Sequence, residues 1–431
     1  MLRLINFGEK AMSRLSRRSI LLGSAAGAAA LSVGSYRRAA LAQGGTIRVP
    51  IMLTLSGPLA PIGTPAKIGA EITAMLINKA GGVNGRNVEP LFVDDKGRPN
   101  DAVAATRELI GEGHKVLTGS FLSANLLAQV PILTESKVPI IGLGGTAIAL
   151  SHDQFSRYLF PGLENDYQRS RMFARFASER LPNVTKWGAL ISESKPYIDS
   201  YGTFGKFAKE DYAAKGKTAQ FSQAYLFKFG TTDFRPQLSQ LVAGDTEALY
   251  NMVLGADGLT LWQQAVAFNL QGKIKAVIDQ TLDFNQQKAL KKRLPPNLWT
   301  IPIAYYAPYQ SDPHSKAFYE EYVARTGDRF PSGYLQYGNQ VMNIYAQTLN
   351  ATKGSTDSEA VINALESVTF TTARGPYKYR KEDHVLFKDM TMVQVVGNDS
   401  EVGIEVKEWV NYKSQDFALP PNPGKPTPTF Q

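Results

Sequence analysis

The stretch LTLSGPLAPIGTPAKIGAEITAMLINKAGGVNGR, Leu53 to Arg86, decides how the chain is read. An apolar run from Ile47 breaks at Ser56-Gly57-Pro58, passes through prolines and glycines, and becomes amphipathic. It stops at Gly81-Gly82. Ile68, Ile72, Met75 and Leu76 share one helical face, so a strand over 47–55, a loop and a helix over 67–79 are expected. A loop between strand and helix can hold a phosphate, a catalytic group, a small ligand or nothing. The rest of the chain chooses among them.

Working outward, the same alternation continues. Strands are expected near 88–93, 116–118 and 138–141, with helices near 101–110 and 124–136 between them. Helices near 167–180, 203–214, 234–242 and 259–268 then alternate with strands near 187–192, 224–227, 248–254 and 274–278. Alternating strand and helix at this length predicts an α/β fold with parallel sheets covered on both faces. A chain of 431 residues exceeds the usual size of one core, so two doubly wound lobes are expected. Residues 46–165 would form the first lobe and 166–297 the second. Helices near 315–326, 334–351 and 358–367, then strand-like runs near 376–379 and 392–396, would return to complete them. Residues 298–376 are assigned to the first lobe and 377–415 to the second. The Pro-rich stretch 416–431 reads as an extended or disordered tail.

The net charge of +9 at first suggests a polyanion partner. Arg3, Lys10, Arg14, Arg17, Arg18, Arg37 and Arg38 supply much of it, against the single acid Glu9. Residues 43–431 carry 40 basic and 37 acidic groups, a balance that gives no nucleic-acid surface. Residues 1–42 read as an export signal. They have a basic region with a twin-arginine-like Ser16-Arg17-Arg18-Ser19-Ile20-Leu21, a modestly apolar run over 20–33, and a small-x-small cleavage site at Ala40-Leu41-Ala42. Met12 is an alternative start. The apolar run is shorter than the roughly 20 residues needed to span a bilayer.

Catalytic patterns are absent from the sequence. There is no cysteine, no G-x-S-x-G and no P-loop. His114, His152, His314 and His384 form no metal-ligand spacing and read as surface or loop residues. Adjacent Asp94-Asp95 point to opposite faces of a strand and end it. Gly142, Gly144 and Ala147 fit a dinucleotide fingerprint only formally, because no long helix and no acid follow. No cofactor or metal is expected. What remains is a set of small polar residues at predicted strand ends: Ser56, Ser120, Ser123, and Gly144-Gly145-Thr146. Ligands of open α/β sheets bind there, where hydroxyls and backbone N–H groups can receive a carboxylate. Read singly, Ser123 and Thr146 could equally be helix N-caps.

From about Thr46 to Val396 the chain resembles the type I solute-binding proteins of ABC importers, in the branched-chain amino-acid receptor group. The resemblance rests on LSGPLAPIG, INKAGGVNGR, VDDKGRPNDAVAATRELI, LTGSFLSANLLAQVPILTESKVPIIGLGGTA and SYGTFGKFAKEDYAAKG, in that order and spacing. It implies two lobes joined by three crossings and closing on a ligand. Ser123 and Thr146 match residues that bind an α-carboxylate, and Gly145 a backbone group near the amine. Tyr201 matches an aromatic covering the ligand, with Tyr197 as competitor. Ala256-Asp257 stand where relatives place a tyrosine, and Asp279-Gln280 where a glutamate meets the ammonium. The resemblance thus implies a monomeric, periplasmic, non-enzymatic receptor for an amino acid, amide, urea or aromatic carboxylate. Its partner would be an inner-membrane ABC permease, or a signalling protein if the chain is a sensor. The Ser56 loop is expected to shape the cleft wall.

Overall fold

The computed structural model describes residues 45–301 and 312–429. The expected export segment, residues 1–42, lies outside them. In chain order the first lobe begins with β1 (Ile47–Leu53), α1 (Ala60–Lys79), β2 (Val88–Asp94), α2 (Pro99–Gly111), β3 (Leu117–Gly119), α3 (Ser123–Ser136), β4 (Ile140–Gly142) and β5 (Leu159–Phe160). These strands form one parallel sheet in the order β2-β1-β3-β4-β5. β1 is apolar from Val49 onward because both faces are covered there: Val49, Ile51, Met52 and Leu53 are fully buried, while Arg48 at its start is exposed.

α1 starts seven residues earlier than its periodicity suggests. Pro61 falls in the first turn, where no intrahelical donor is needed. The continuation through Pro65 is fixed by tertiary packing. A Cβ on Gly69 would lie 1.9 Å from the Leu335 carbonyl oxygen, and one on Gly338 1.9 Å from that of Ala66. The two helices therefore pack backbone against backbone, a contact only glycine permits.

The second lobe contains α4 (Asp166–Arg180), β6 (Lys186–Ser192), α5 (Lys195–Ala213), β7 (Gln220–Phe227), α6 (Arg235–Ala243), β8 (Ala248–Met252), α7 (Gly255–Ala265), β9 (Ala276–Asp279), α8 (Phe284–Leu290) and β10 (Leu298–Thr300). Three helices then join the first lobe: α9 (Pro313–Thr326), α10 (Leu335–Ala351) and α11 (Ser358–Ser367). A small sheet of β11 (Phe370–Thr372), β12 (Gly375–Tyr379) and β13 (Leu386–Phe387) packs on them. Finally β14 (Asp389–Gly397) and β15 (Ile404–Lys413) extend the second sheet, ordered β15-β14-β10-β9-β8-β6-β7. β14 runs antiparallel to both of its neighbours. Each large sheet has a buried apolar cluster on either face.

Two expected boundaries move. Residues 298–300 are β10, paired with β9 and β14, so the second lobe runs past 297. Tyr377, Tyr379 and Leu386 are buried in the first-lobe cluster, so that lobe runs to Phe387 rather than 376. The lobes are joined through 161–165, between 301 and 312, and at Lys388. β15 lacks a counterpart in the sequence reading. Its alternation is there (EVKEWVNYK), but every second residue is exposed, and all of these except Trp409 are polar. The tail is tied down rather than free: beyond Phe417 it crosses to the first lobe, where the Gly424 N–H donates to the His152 carbonyl at 2.7 Å.

The histidines also differ from expectation. His152 and His384 are buried, and His384 stacks on Phe160 at 3.8 Å while bonding the Leu159 carbonyl at 2.9 Å. Stacking and a hydrogen bond compensate the imidazole for lost water, which lone residues in a sequence do not reveal.

Candidate functional site

The carboxyl ends of four strands from the two sheets face one another across a cavity. Phe121, Leu122 and Ser123 follow β3, and Thr146 follows β4. From the second lobe, Met252 closes β8, Leu254 lies just beyond it, and Gln280 and Thr281 follow β9. Tyr197 enters from the first turn of α5, Arg169 from that of α4, and Tyr334 and Tyr337 from the start of α10. About 40 Å³ of this space is open to water, so the lobes stand close together. Contacts across the gap hold them there. The Tyr334 hydroxyl donates to the Thr281 carbonyl at 3.1 Å, and the Ala256 N–H to the Pro58 carbonyl at 3.3 Å.

The walls are aromatic and aliphatic, with few polar groups. The Gln280 side chain is buried and both ends of its amide lack a hydrogen-bond partner. Burial raises the tyrosine hydroxyls at 197, 334 and 337, the last to about 12, so all three stay neutral. Among the described lining residues none is acidic, and one is cationic.

That cation is Arg169, whose side chain is 10% exposed. Its Nε lies 3.5 Å from Glu164, and Glu164 lies 2.7 Å from Lys388 at the third crossing. Burial alone would raise the Glu164 carboxyl, but Lys388, Arg169 and Arg374 overcome this and hold it at about 2. Burial lowers the Lys388 ammonium to about 8, helped by Arg374 and opposed by Glu164. Both shifts follow from one carboxylate among three cations. The cluster carries excess positive charge, and Arg169 presents part of it to the cavity.

Residues 46–400 match the model of the periplasmic binding protein family. The chain belongs to that family. It is 24% identical over 370 residues to the leucine-, isoleucine-, valine-, threonine- and alanine-binding protein of Pseudomonas aeruginosa, covering 85% of this chain and 94% of that protein. A solute-binding protein of an ABC transporter from Rhodopseudomonas palustris BisB5, solved with 3,4-dihydroxybenzoic acid, superposes with a TM-score of 0.73 at 20% identity, covering 86% of this chain and 98% of that one. A branched-chain amino-acid transporter substrate-binding protein of Streptococcus pneumoniae, solved with isoleucine, gives 0.70 at 22% identity, covering 85% and 99%. The type I periplasmic binding protein fold expected from the sequence is the fold observed.

Within this periplasmic binding protein the expected site residues divide. Ser123 and Thr146 line the cavity, but neither is an N-cap. The Ser123 hydroxyl instead accepts from the backbone N–H groups of Thr146 and Ala147, each at 3.0 Å. Gly145 lies outside the lining. Its φ is +91°, its N–H donates to the Phe121 carbonyl at 3.1 Å, and a Cβ there would meet Leu126 at 2.5 Å. It allows the tight passage from β4 to Thr146.

Tyr201 is displaced from the expected role. It packs in the second-lobe core against Phe204, Phe221 and Tyr250, and its hydroxyl donates to the Ser222 carbonyl at 3.0 Å. Its neighbour on the same helix, Tyr197, lines the cavity instead. They are four positions apart, about one turn or roughly 6 Å along the axis. Tyr197 in the first turn therefore reaches the gap, while Tyr201 sits one turn deeper against the core.

Asp279 is also displaced. It is fully buried and accepts from Asn251, Trp262, Thr281 and Leu282, which occupy both of its oxygens. It stitches β8, α7 and the β9 exit together and has no oxygen left for an ammonium. Asp257 accepts from the Gly230 N–H at 2.7 Å, while Ala256 reaches the first lobe through its backbone N–H on Pro58 and its carbonyl accepts from the Thr260 hydroxyl at 3.1 Å. Ser56 is exposed, so its loop acts through Pro58, which touches the second lobe.

Arg169 escaped the sequence reading, as did Tyr334 and Tyr337. One signal was available. Arg169 sits three and four residues before Met172 and Phe173 on the buried face of α4, an unusual place for a charge.

Proposed function

We propose that this protein is the exported, periplasmic receptor of an ABC importer. It holds a small carboxylate with an aromatic body between its lobes and passes it to a permease in the inner membrane. Arg169 carries this reading, being a cation at an apolar cavity that no described acid shares. An amino acid needs an anionic partner for its ammonium, and the candidate Asp279 is saturated by donors outside the cavity. An aromatic acid needs only the guanidinium at one end and aromatic walls at the other. The unpaired Gln280 amide and the Ser123 and Thr146 hydroxyls suit ring hydroxyls or the second carboxylate oxygen. Relatives of the same fold hold dihydroxybenzoate in one case and isoleucine in another.

The test is a calorimetric and thermal-shift panel of benzoate, 4-hydroxybenzoate, benzamide, leucine and isoleucine. Ligands that bind only the native state raise its melting temperature. The benzoates are expected to bind most tightly. Tighter binding of leucine, or equal binding of benzamide and benzoate, would sink the reading. Intact mass of the secreted chain tests the periplasmic part, with removal after Ala42 expected.

A further inference from the structure

Behind the Thr146–Ala147 segment lies a second and larger hollow, of about 610 Å³. Its first-lobe wall includes Leu127 and Ile148, its second-lobe wall Pro196 on α5, and the tail closes it with Pro426 and Thr427. This volume is within the usual range for small-molecule sites. The tail is fastened there by the Gly424 contact and by the Thr427 hydroxyl on Asp153.

The charge of this hollow is opposite to that of the cleft. Asp153, Asp166 and Asp199 line it beside one cation, Lys195, and Lys195 is paired with Asp199 at 2.5 Å. Asp166 is the unusual member. It is 2% exposed, yet neither carboxylate oxygen has a hydrogen-bond partner of ordinary geometry. Its polar neighbours are the Thr146 hydroxyl, which makes only a loose contact, and the more distant Arg169. A buried carboxyl so weakly supported is costly when ionised, and folds retain few without a use.

We propose that this hollow is a second ligand site, taking a small organic ammonium whose apolar body lies on Leu127, Ile148 and Pro196 and whose charge meets Asp166. The occupant differs in charge from the cleft ligand, so the site stands whether or not the aromatic-acid reading holds. Both lobes supply its walls, and a bound ammonium would favour their approach.

The surroundings of Asp166 give a distinctive readout. Burial raises its carboxyl to about 7, Glu164 and Asp199 add to the rise, and Arg169 and the Thr146 hydroxyl oppose it. Asp153 and Lys195 face the same hollow. Near pH 6 the group is mostly protonated, and an arriving ammonium must displace that proton.

The experiment titrates the full exported protein with benzylamine by calorimetry, with benzyl alcohol as the neutral control. Saturable benzylamine binding is expected, about tenfold or more tighter than benzyl alcohol, with proton release at pH 6 in buffers of different ionisation enthalpy. Asp166→Asn should weaken it about tenfold or more and abolish the proton release. A chain ending at Asn422, which lacks the tail wall, should also weaken it, and carries the test alone if Asp166→Asn fails to fold. Absence of saturable binding, or binding unchanged in Asp166→Asn, overturns the proposal. Tighter binding by the shortened chain also overturns it, since the hollow would then be the seat of the tail itself.

Discussion

The Ser123 hydroxyl accepts hydrogen bonds from the Thr146 and Ala147 backbone N–H groups, each at 3.0 Å, and so ties the loop after β3 to the loop after β4. One side chain thereby sets the shape of the first-lobe cleft edge. Ser123→Ala leaves two N–H groups without their acceptor. Leaving buried donors without an acceptor costs about 1–3 kcal/mol, and because this pair is only half-buried, water offsets part of the second loss. Melting of the ligand-free variant should show destabilisation of about 1–3 kcal/mol, with weaker ligand binding because the edge loosens. A Ser123→Ala protein of wild-type stability would remove the structural role.

Arg169→Gln removes the cation from the cavity while keeping a polar side chain. A charge-assisted hydrogen bond contributes about 1.5–3 kcal/mol, so benzoate affinity should fall roughly 10- to 150-fold. Benzamide, which carries no charge, should be little affected. A parallel fall for both ligands would mean that the change had collapsed the cavity rather than removed an anion partner.

Asp279→Asn tests the corrected role of that residue. An amide cannot accept from four partners on two equivalent oxygens, so at least one donor loses its acceptor. Stability should drop by about 1–3 kcal/mol. If the residue served a ligand ammonium instead, the apo protein would melt normally and only binding would suffer.

Asp166 predicts a pH dependence with a definite sign. Its folded carboxyl stands at about 7, above the ordinary 3.8, so the native state holds a proton that the unfolded chain has lost between those values. Its contribution therefore worsens as pH rises from about 4 to 7, and the full cost applies above 7. Asp166→Asn should be more stable than the parent at pH 8, by on the order of 2–4 kcal/mol, with the gain shrinking towards pH 4. Denaturant midpoints at pH 4.5 and 8 measure this. A gain that is larger at pH 4.5 would reverse the assignment.

Breaking the hinge cluster should be costly. Lys388→Met leaves Glu164 buried with Arg169 as its nearest remaining ion-pair partner, and loss of one partner of a buried pair costs about 3–5 kcal/mol. Glu164 is held at about 2, below its ordinary 4.5, so its support is present above pH 4.5 and is lost as pH falls towards 2. The Lys388→Met defect should accordingly narrow in acid, which chemical denaturation at pH 7 and pH 3 would show.

The alternation of strands and helices, the two-lobed α/β architecture and the position of the cleft are all legible in the chain. Those features are written in local periodicity, and a helix such as Ser358–Ser367 announces both of its ends through Asp357 and a regular apolar face. Ser123 and Thr146 were legible because strand ends of open parallel sheets converge wherever such sheets form. Which residues face the gap depends on packing between distant segments. Tyr197 and Tyr201 lie one turn apart, and Asp279 and Gln280 are adjacent, yet in each pair one side chain lines the cavity and the other serves a core. The first choice follows from position along α5, whose first turn abuts the gap. The second follows from strand alternation together with the donors that Asn251 and Trp262 bring from distant parts of the chain. The position of Arg169 on an apolar helix face was legible, but its role as a buried cation required Glu164 and Lys388 beside it, since a buried charge depends on partners elsewhere in the chain.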